Sequence, residues 1–342
     1  MVTTKIIATL GPSSSSPGML RRMFAAGLDI VRLNFSHGSH QEHLKRIQAV
    51  RALNKTMRRA VKIMQDLEGY RIRLGRLAAP LELSKNAVLF LTKEHITGAG
   101  KLIPFDYAGP LTAVKTGSLI YIDDGRIVLK VAGRTQQQLK VKVVVGGTLK
   151  ERKGINIPEA RFSFDALTQK DKDDLQLAIR HRLDYVAQSF VRNAKDIISL
   201  KKILDVSHPH CRIYAKIENK DALDNLDAII DVSDGIIVAR GDLGICLPIY
   251  KVAVFQKEII RHCRRKKKPV VVATQMLESM VEERLPTRAE VSDVTGAIFD
   301  EAAAVMLSAE TAVGKHPHLV VAMMNAIIKA AEQYRRSRAG EY

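Results

Sequence analysis

At 342 residues and 46% hydrophobic composition, the chain has material for one large core and a smaller insertion, and no apolar run approaches the ~18–20 residues that span a bilayer. Its N-terminal stretch alternates instead of forming a signal-peptide core, and three scattered cysteines (Cys211, Cys246, Cys263) without CxxC spacing speak against a disulfide framework or a zinc site, so the expected compartment is the cytoplasm. Lys and Arg number 54 against 36 Asp and Glu, and the resulting +18 favours anionic partners, either phosphorylated metabolites or nucleic acid.

In chain order, the apolar, β-branched run Lys5–Leu10 predicts a first strand, and Ser16 before Pro17 an N-cap with proline at the first helical position. A strand over Ile30–Phe35, a helix over His40–Met57 and a strand over Val61–Leu67 follow. The rhythm then breaks. From Gly75 to Arg152 the segments alternate with period two, and Asp123-Asp124-Gly125 and Gly146-Gly147 read as hairpin turns. Beyond it the pattern resumes: helix Gln169–Arg182, strand Tyr185–Val191, helix Lys195–Val206, strands Arg212–Glu218 and Gly235–Leu243, helix Lys251–Lys267, strand Val270–Gln275, helix Arg288–Asp300, strand Val305–Glu310, and a last helix Pro317–Arg336. The basic run Arg261–Lys268 ends one helix, where cations complement the helix dipole; it reads as a solvated terminus, and with 5% aromatics no base-stacking platform accompanies it. Nucleic acid is therefore not an expected partner, and neither is a membrane. Strands alternating with amphipathic helices imply an α/β fold, a TIM (β/α)8 barrel of residues 1–74 and 152–342, with residues 75–151 inserted after the third strand as a small β-barrel-like lid and nothing left for a further domain.

Catalytic groups in such barrels come from strand C-termini, and here those ends carry Arg32, Asn34, Ser36, Asp66, Ser189, Lys216, Glu218, Arg240, Asp242, Thr274 and Glu310, with Arg73 just beyond. Side chains alternate along a strand, so Lys216 and Glu218 share a face, as do Arg32 and Asn34, and Arg240 and Asp242 are expected to do the same. Each residue alone could be a structural ion pair at the rim. Together, Glu218 and Asp242 on neighbouring strands make the two-carboxylate set that Mg²⁺ uses when substrate supplies its other ligands, and Lys216 beside them can neutralise charge on a phosphoryl group or an enolate. Gly241 and Gly244 add backbone that an anion can approach closely.

At these residues the sequence resembles the pyruvate kinase family over essentially the whole barrel. The shared strings are TLGPSS (Thr9–Ser14), RLNFSHG (Arg32–Gly38), IDDG (Ile122–Gly125), KGINIP (Lys153–Pro158), VAQSFVR (Val186–Arg192), KIEN (Lys216–Asn219), DGIIVARGDLGI (Asp234–Ile245), ATQMLESM (Ala273–Met280), PTRAEVSDV (Pro286–Val294) and MLSAETAVG (Met306–Gly314), in the family order. The resemblance implies phosphoryl transfer from phosphoenolpyruvate to ADP, giving pyruvate and ATP in the last step of glycolysis. It implies Glu218 and Asp242 as ligands of Mg²⁺ (or Mn²⁺), and Lys216, Thr274, Arg32 and Arg73 as catalytic groups. Arg32, Lys216, Gly241, Asp242 and Thr274 would hold phosphoenolpyruvate or pyruvate, with Thr274 aligned to deliver a proton to the enolate carbon. Asn34, Phe35, Ser36, His37, Arg73 and Lys153 would face the nucleotide.

A monovalent cation site, where the family has one, would fall on Asn34, Ser36, Asp66 and the Leu67 carbonyl. Here the sequence departs from the family: Arg71 stands where K⁺-dependent members carry glutamate, Glu68 where lysine is usual and Tyr70 where proline is usual. A fixed guanidinium could replace the monovalent ion, so K⁺ is expected to be dispensable. Cys246 and Ala309 are smaller departures that touch no assigned ligand. No segment resembles the C-terminal domain that carries the family's sugar-phosphate site, so regulation by that route is expected to be absent, and self-association through the barrel helices stays open. A metal-dependent aldolase or lyase of phosphoenolpyruvate or pyruvate is an alternative on the same barrel, but it has no use for Arg73, Lys153 and the insert. A degenerate, non-catalytic binder is another, opposed by the intact Lys216, Glu218, Asp242 and Thr274.

Overall fold

Eight parallel strands close into a barrel in the computed structural model, which describes residues 3–107, 109–160 and 164–338. The strands are Lys5–Thr9, Ile30–Asn34, Lys62–Asp66, Tyr185–Gln188, Arg212–Ile217, Gly235–Ala239, Val270–Ala273 and Ala304–Leu307, each paired with its neighbour in the sequence. The last closes on the first, Ile7 opposite Met306. Every second side chain points inward, and Ile7, Ile30, Met64, Tyr214, Ile237, Val271 and Met306 fill the interior. The outward set, including Ile6, Val31, Leu33, Val186, Ile213, Val238 and Val305, packs on the surrounding helices as a larger core.

Helix starts follow from side-chain caps. Ser39, Thr168 and Thr287 each form a capping box with the residue at the third helical position, fixing helices His40–Met57, Gln169–Arg180 and Arg288–Phe299; Ser16 caps Pro17–Ala26. The remaining long helices run over Ala194–Ser207, Ile249–Arg265 and Pro317–Arg338. At the basic run, Lys266 pairs with Asp227 and Asp231, and Arg264 with Glu301, so acidic neighbours hold part of that charge.

Three strand readings need correction. The fourth strand stops at Gln188, short of Val191, and Phe190 turns to φ 54°. The sixth strand stops at Ala239, and Arg240–Cys246 is a short helix, so Arg240 and Asp242 do not share a strand face. The eighth stops at Leu307, and Glu310 lies in the helical turn Ala309–Ala312. Gly146-Gly147 is likewise not a hairpin: it carries the chain from Gln138–Val145, paired to Val88–Thr92 and Ile127–Arg134, into Gly147–Leu149, paired to Leu81–Leu83. Asp123-Asp124-Gly125 does turn between Leu119–Ile122 and Ile127–Arg134, with all three residues at positive φ.

The segment after the third barrel strand builds a six-stranded sheet and a two-stranded ribbon around their own core, which includes Leu89, Leu91, Ile120, Leu129, Leu139, Val141 and Leu149. The chain leaves and re-enters the barrel side by side. Arg73 pairs with Gly154 in an antiparallel bridge, Leu74 N–H donates to the Lys153 carbonyl at 2.8 Å and Ile155 N–H to the Ile72 carbonyl at 2.8 Å.

Candidate active site at the barrel mouth

The third, fourth and fifth barrel strands deliver Asp66, Ser189 and Lys216 to one point at their C-terminal ends. Asp66 is buried, and three donors surround it: Arg32 Nε at 2.6 Å, Ser189 Oγ at 3.2 Å and Lys216 Nζ at 3.3 Å. Burial alone would raise its pKa, but Lys216 and Arg32 outweigh that and hold the carboxyl below its ordinary range. Lys216 also donates to Ser189 Oγ at 2.7 Å and pairs with Glu218 Oε1 at 3.0 Å. Burial disfavours its charge, yet Asp66 and Glu218 more than compensate, so the ammonium stays charged beyond the usual lysine range. Arg32 Nη1 reaches Thr9 Oγ1 at 2.9 Å, and Thr9 donates to the Leu307 carbonyl, which ties the second strand to the first and eighth.

Glu218 is buried and accepts the Phe190 N–H at 2.6 Å, from a backbone turned to φ 54°. Burial and the nearby Asp242 charge push its carboxyl above the ordinary range against the pull of Lys216. A buried carboxyl raised in part by a second carboxylate is one that a cation between the two would relieve, and an all-oxygen donor pair suits a hard divalent cation that keeps waters and takes substrate oxygens. Glu218 and Asp242 therefore fit Mg²⁺. No group of three or more His, Cys, Asp or Glu able to hold a metal occurs among the described residues.

The sixth strand's end places Gly241 against Thr274, which follows the seventh. Gly241 N–H donates to Thr274 Oγ1 at 3.1 Å and that hydroxyl donates to the Ala273 carbonyl at 2.5 Å. Thr274 and Gln275 both have positive φ, a sparse conformation for such residues. Arg240 holds it: its guanidinium donates to the carbonyls of Thr274 at 2.6 Å and Gln275 at 3.0 Å and pairs with Asp293 at 2.6 Å. Arg240 thus shapes the site from behind. So does Glu310, which is fully buried and accepts from Leu277 N–H and Ser308 N–H.

On the insert side, Asn34 Oδ1 accepts Ser36 N–H at 3.1 Å, Phe35 stacks on His43 at 4.0 Å, and His37 is exposed with its carbonyl accepting from His43 Nε2 at 2.9 Å. Burial lowers the His43 pKa to about 4, so the ring is neutral and supports this segment without charge. Leu67 is buried beside the fourth strand, its N–H on the Ala187 carbonyl. Lys153 pairs with Asp123 at 2.8 Å and Arg73 with Glu68 at 2.8 Å.

Arg71 lies at the junction of barrel and insert. Its Nη2 stands 3.0 Å from Asp124 Oδ1 and 3.2 Å from Asp242 Oδ1, and its guanidinium lies over Phe190 at 5.7 Å. The charge thus faces the Glu218–Asp242 pair, whereas the Asp66 carboxylate is already met by Arg32 and Lys216. Sequence reasoning missed Asp124, which read only as a turn residue, the Phe190 N–H, and Lys170, whose Nζ reaches the Phe35 carbonyl at 2.6 Å. Lys170 has an i,i+4 partner in Asp174, the ordinary pattern of a solvated helix face, and nothing local in the sequence marks the longer contact.

The family model for the barrel domain of pyruvate kinase matches residues 1–321. The chain belongs to the pyruvate kinase family. It is 44% identical over 333 residues to a pyruvate kinase of Agrobacterium vitis, covering 97% of this chain and 70% of that protein. It is 42% identical over 335 residues to a pyruvate kinase of Thermococcus litoralis, covering 98% and 70%, and 39% identical to one of Staphylococcus aureus (strain MRSA252), of which it spans 57%. As a member of the pyruvate kinase family the chain is a phosphotransferase, and the strand ends that carry the charged cluster lie within the matched residues.

Proposed function

We propose that the chain transfers the phosphoryl group of phosphoenolpyruvate to ADP, forming pyruvate and ATP, as a glycolytic pyruvate kinase of the cytoplasm. The observation that carries this reading is Lys216, buried between Asp66 and Glu218 with its charge preserved. Phosphoryl transfer needs positioning and charge neutralisation more than covalent chemistry. A Mg²⁺ (or Mn²⁺) ion on Glu218 and Asp242 would neutralise phosphoryl and carboxylate oxygens of the substrate. Lys216 meets the charge that develops as the bond between phosphorus and the enol oxygen breaks and the bond to the ADP β-phosphate oxygen forms. Arg32, held by Asp66 and Thr9, and Gly241 against Thr274 fix the acid end. Thr274 Oγ, anchored on the Ala273 carbonyl, orders the hydroxyl or water that delivers a proton to the enolate carbon. Asn34, Phe35, Ser36, His37, Arg73 and Lys153 face the nucleotide, and residues 75–151 act as a lid.

K⁺ is not required in this reading. A monovalent ion would use Asn34, Ser36, Asp66 and the Leu67 carbonyl, but Arg32 and Lys216 already neutralise Asp66, and Arg71 adds a permanent charge at Asp242. The 342-residue chain is expected to show no response to sugar phosphates, and a sugar bisphosphate that shifts its phosphoenolpyruvate curve would overturn this. The test of the activity is ADP-dependent pyruvate release with and without Mg²⁺: release that needs both supports the assignment, and none from folded protein removes it.

A further inference from the structure

Glu68 stands between two cations at the insert side of the barrel mouth. Its Oε1 lies 2.8 Å from Arg73 Nη2 and its Oε2 3.5 Å from Lys170 Nζ. Lys170 also donates to the Phe35 carbonyl and to Asp174, both at 2.6 Å. Arg73 is further fixed by its own N–H on Asp106 Oδ1 at 2.5 Å and by Nη1 near the Arg152 carbonyl at 3.4 Å. Glu68, Arg73, Asp106 and Lys170 line a cleft of about 230 Å³. The backbone under Glu68 is rigid: Gly69 has φ 69°, a Cβ there would meet the Ser189 carbonyl at 2.7 Å, and its N–H donates to Asp171.

We propose that Glu68 is a positioning residue for the ADP end of the site, acting through Arg73; this rests on the pyruvate kinase reading. The carboxylate links Arg73 to Lys170 and so to Phe35, joining the two segments that face the nucleotide. Guanidinium has five donors, of which Glu68 takes one and the Arg152 carbonyl a weak second, so others remain for phosphate oxygens. Without Glu68 the two cations lose their common counter-ion and Arg73 regains rotamer freedom that binding must then remove. Glu68 also repels ADP phosphates, but salt screens that repulsion over about 8 Å in an open cleft, whereas lost orientation is not screened.

Calorimetric titration of ADP and of phosphoenolpyruvate, each with Mg²⁺, into wild type, Glu68→Gln, Arg73→Gln and the double variant tests this. Glu68→Gln should weaken ADP about 3- to 10-fold, the range for a partly exposed charge pair, and leave phosphoenolpyruvate unchanged. In the Arg73→Gln background the same change should add nothing. Unchanged or tighter ADP binding in Glu68→Gln, an additive loss in the double variant, or a parallel loss of phosphoenolpyruvate would overturn the proposal. Wild type that binds ADP but forms no pyruvate would sink the kinase reading alone, and wild type that binds no ADP would sink both.

Discussion

Arg71 brings a full charge to the mouth of the barrel, within 3.2 Å of Asp242 and 3.0 Å of Asp124. A guanidinium cannot be deprotonated at any working pH, so this positive charge is permanent, whereas a bound monovalent ion can leave. Replacing Arg71 by Gln should therefore make turnover depend on K⁺. Assayed in Na⁺ or Tris buffer, Arg71→Gln is expected to lose about 10-fold or more in kcat/KM, with partial recovery on adding K⁺, while wild type is indifferent; a drop of this order corresponds to ~1.4 kcal/mol of lost charge stabilisation. A wild type that turns over only with K⁺ contradicts it. That Lys216 and Glu218 meet was legible from their alternation along one strand; that the buried Asp66 joins them from the third strand was not. The way Arg71 crosses from the third strand to the insert was not, because the approach of Asp124 depends on how a separate β segment folds back over the barrel.

The last helix ties the barrel shut through one carboxylate. Glu332 on Pro317–Arg338 accepts from Thr4 N–H at 2.8 Å, Thr3 N–H at 2.9 Å and Thr3 Oγ1 at 2.9 Å, at the entry to the first strand. Burial works to raise its pKa, but these donors outweigh it and hold the carboxyl below its ordinary value of 4.5. A group depressed in the folded state stabilises fully above its unfolded value and loses that contribution as pH falls through the folded value. Glu332→Gln should cost about 1–3 kcal/mol at pH 7 and flatten the acid limb of stability below about pH 4.5. Urea midpoints of both proteins across pH 3–7 measure this, and parallel curves would contradict it. At this scale long helices with a side-chain cap were readable from sequence, His40–Met57 to the residue, because Ser39 and Glu42 announce the start; the five-residue helix Lys220–Asp224 was not, although Asn219 caps it. Two of the misread strands run into helices without a side-chain cap: neither Ala239 before Arg240–Cys246 nor Ser308 before Ala309–Ala312 makes one. An apolar run that passes from strand to helix without a cap or a proline carries no local mark of the change.

Across the whole molecule, the insert meets the barrel through the Arg71–Asp124 and Lys153–Asp123 pairs and through the Arg73 N–H on Asp106. Asp124 is 71% exposed, and a pair with one solvated partner is worth ~0–1 kcal/mol, so this contact is easily exchanged. Ligands bridging Asp242 and the insert should close it further. Small-angle scattering is expected to show a smaller radius of gyration with Mg²⁺, phosphoenolpyruvate and ADP than without, with less contraction in Asp124→Asn; an unchanged radius would remove the lid. The period-two pattern of residues 75–151 pointed to a β unit that interrupts the barrel, but only the shared contact of Asp124 and Asp242 with Arg71 brings it to the strand ends. If the Lys216 cluster is the catalytic centre, kcat for pyruvate formation in wild type and Lys216→Ala, each verified as folded, measures it. A fall of ~10³-fold or more is expected, as for loss of a buried charge that stabilises the transition state. Turnover in Lys216→Ala within a few-fold of wild type would contradict it.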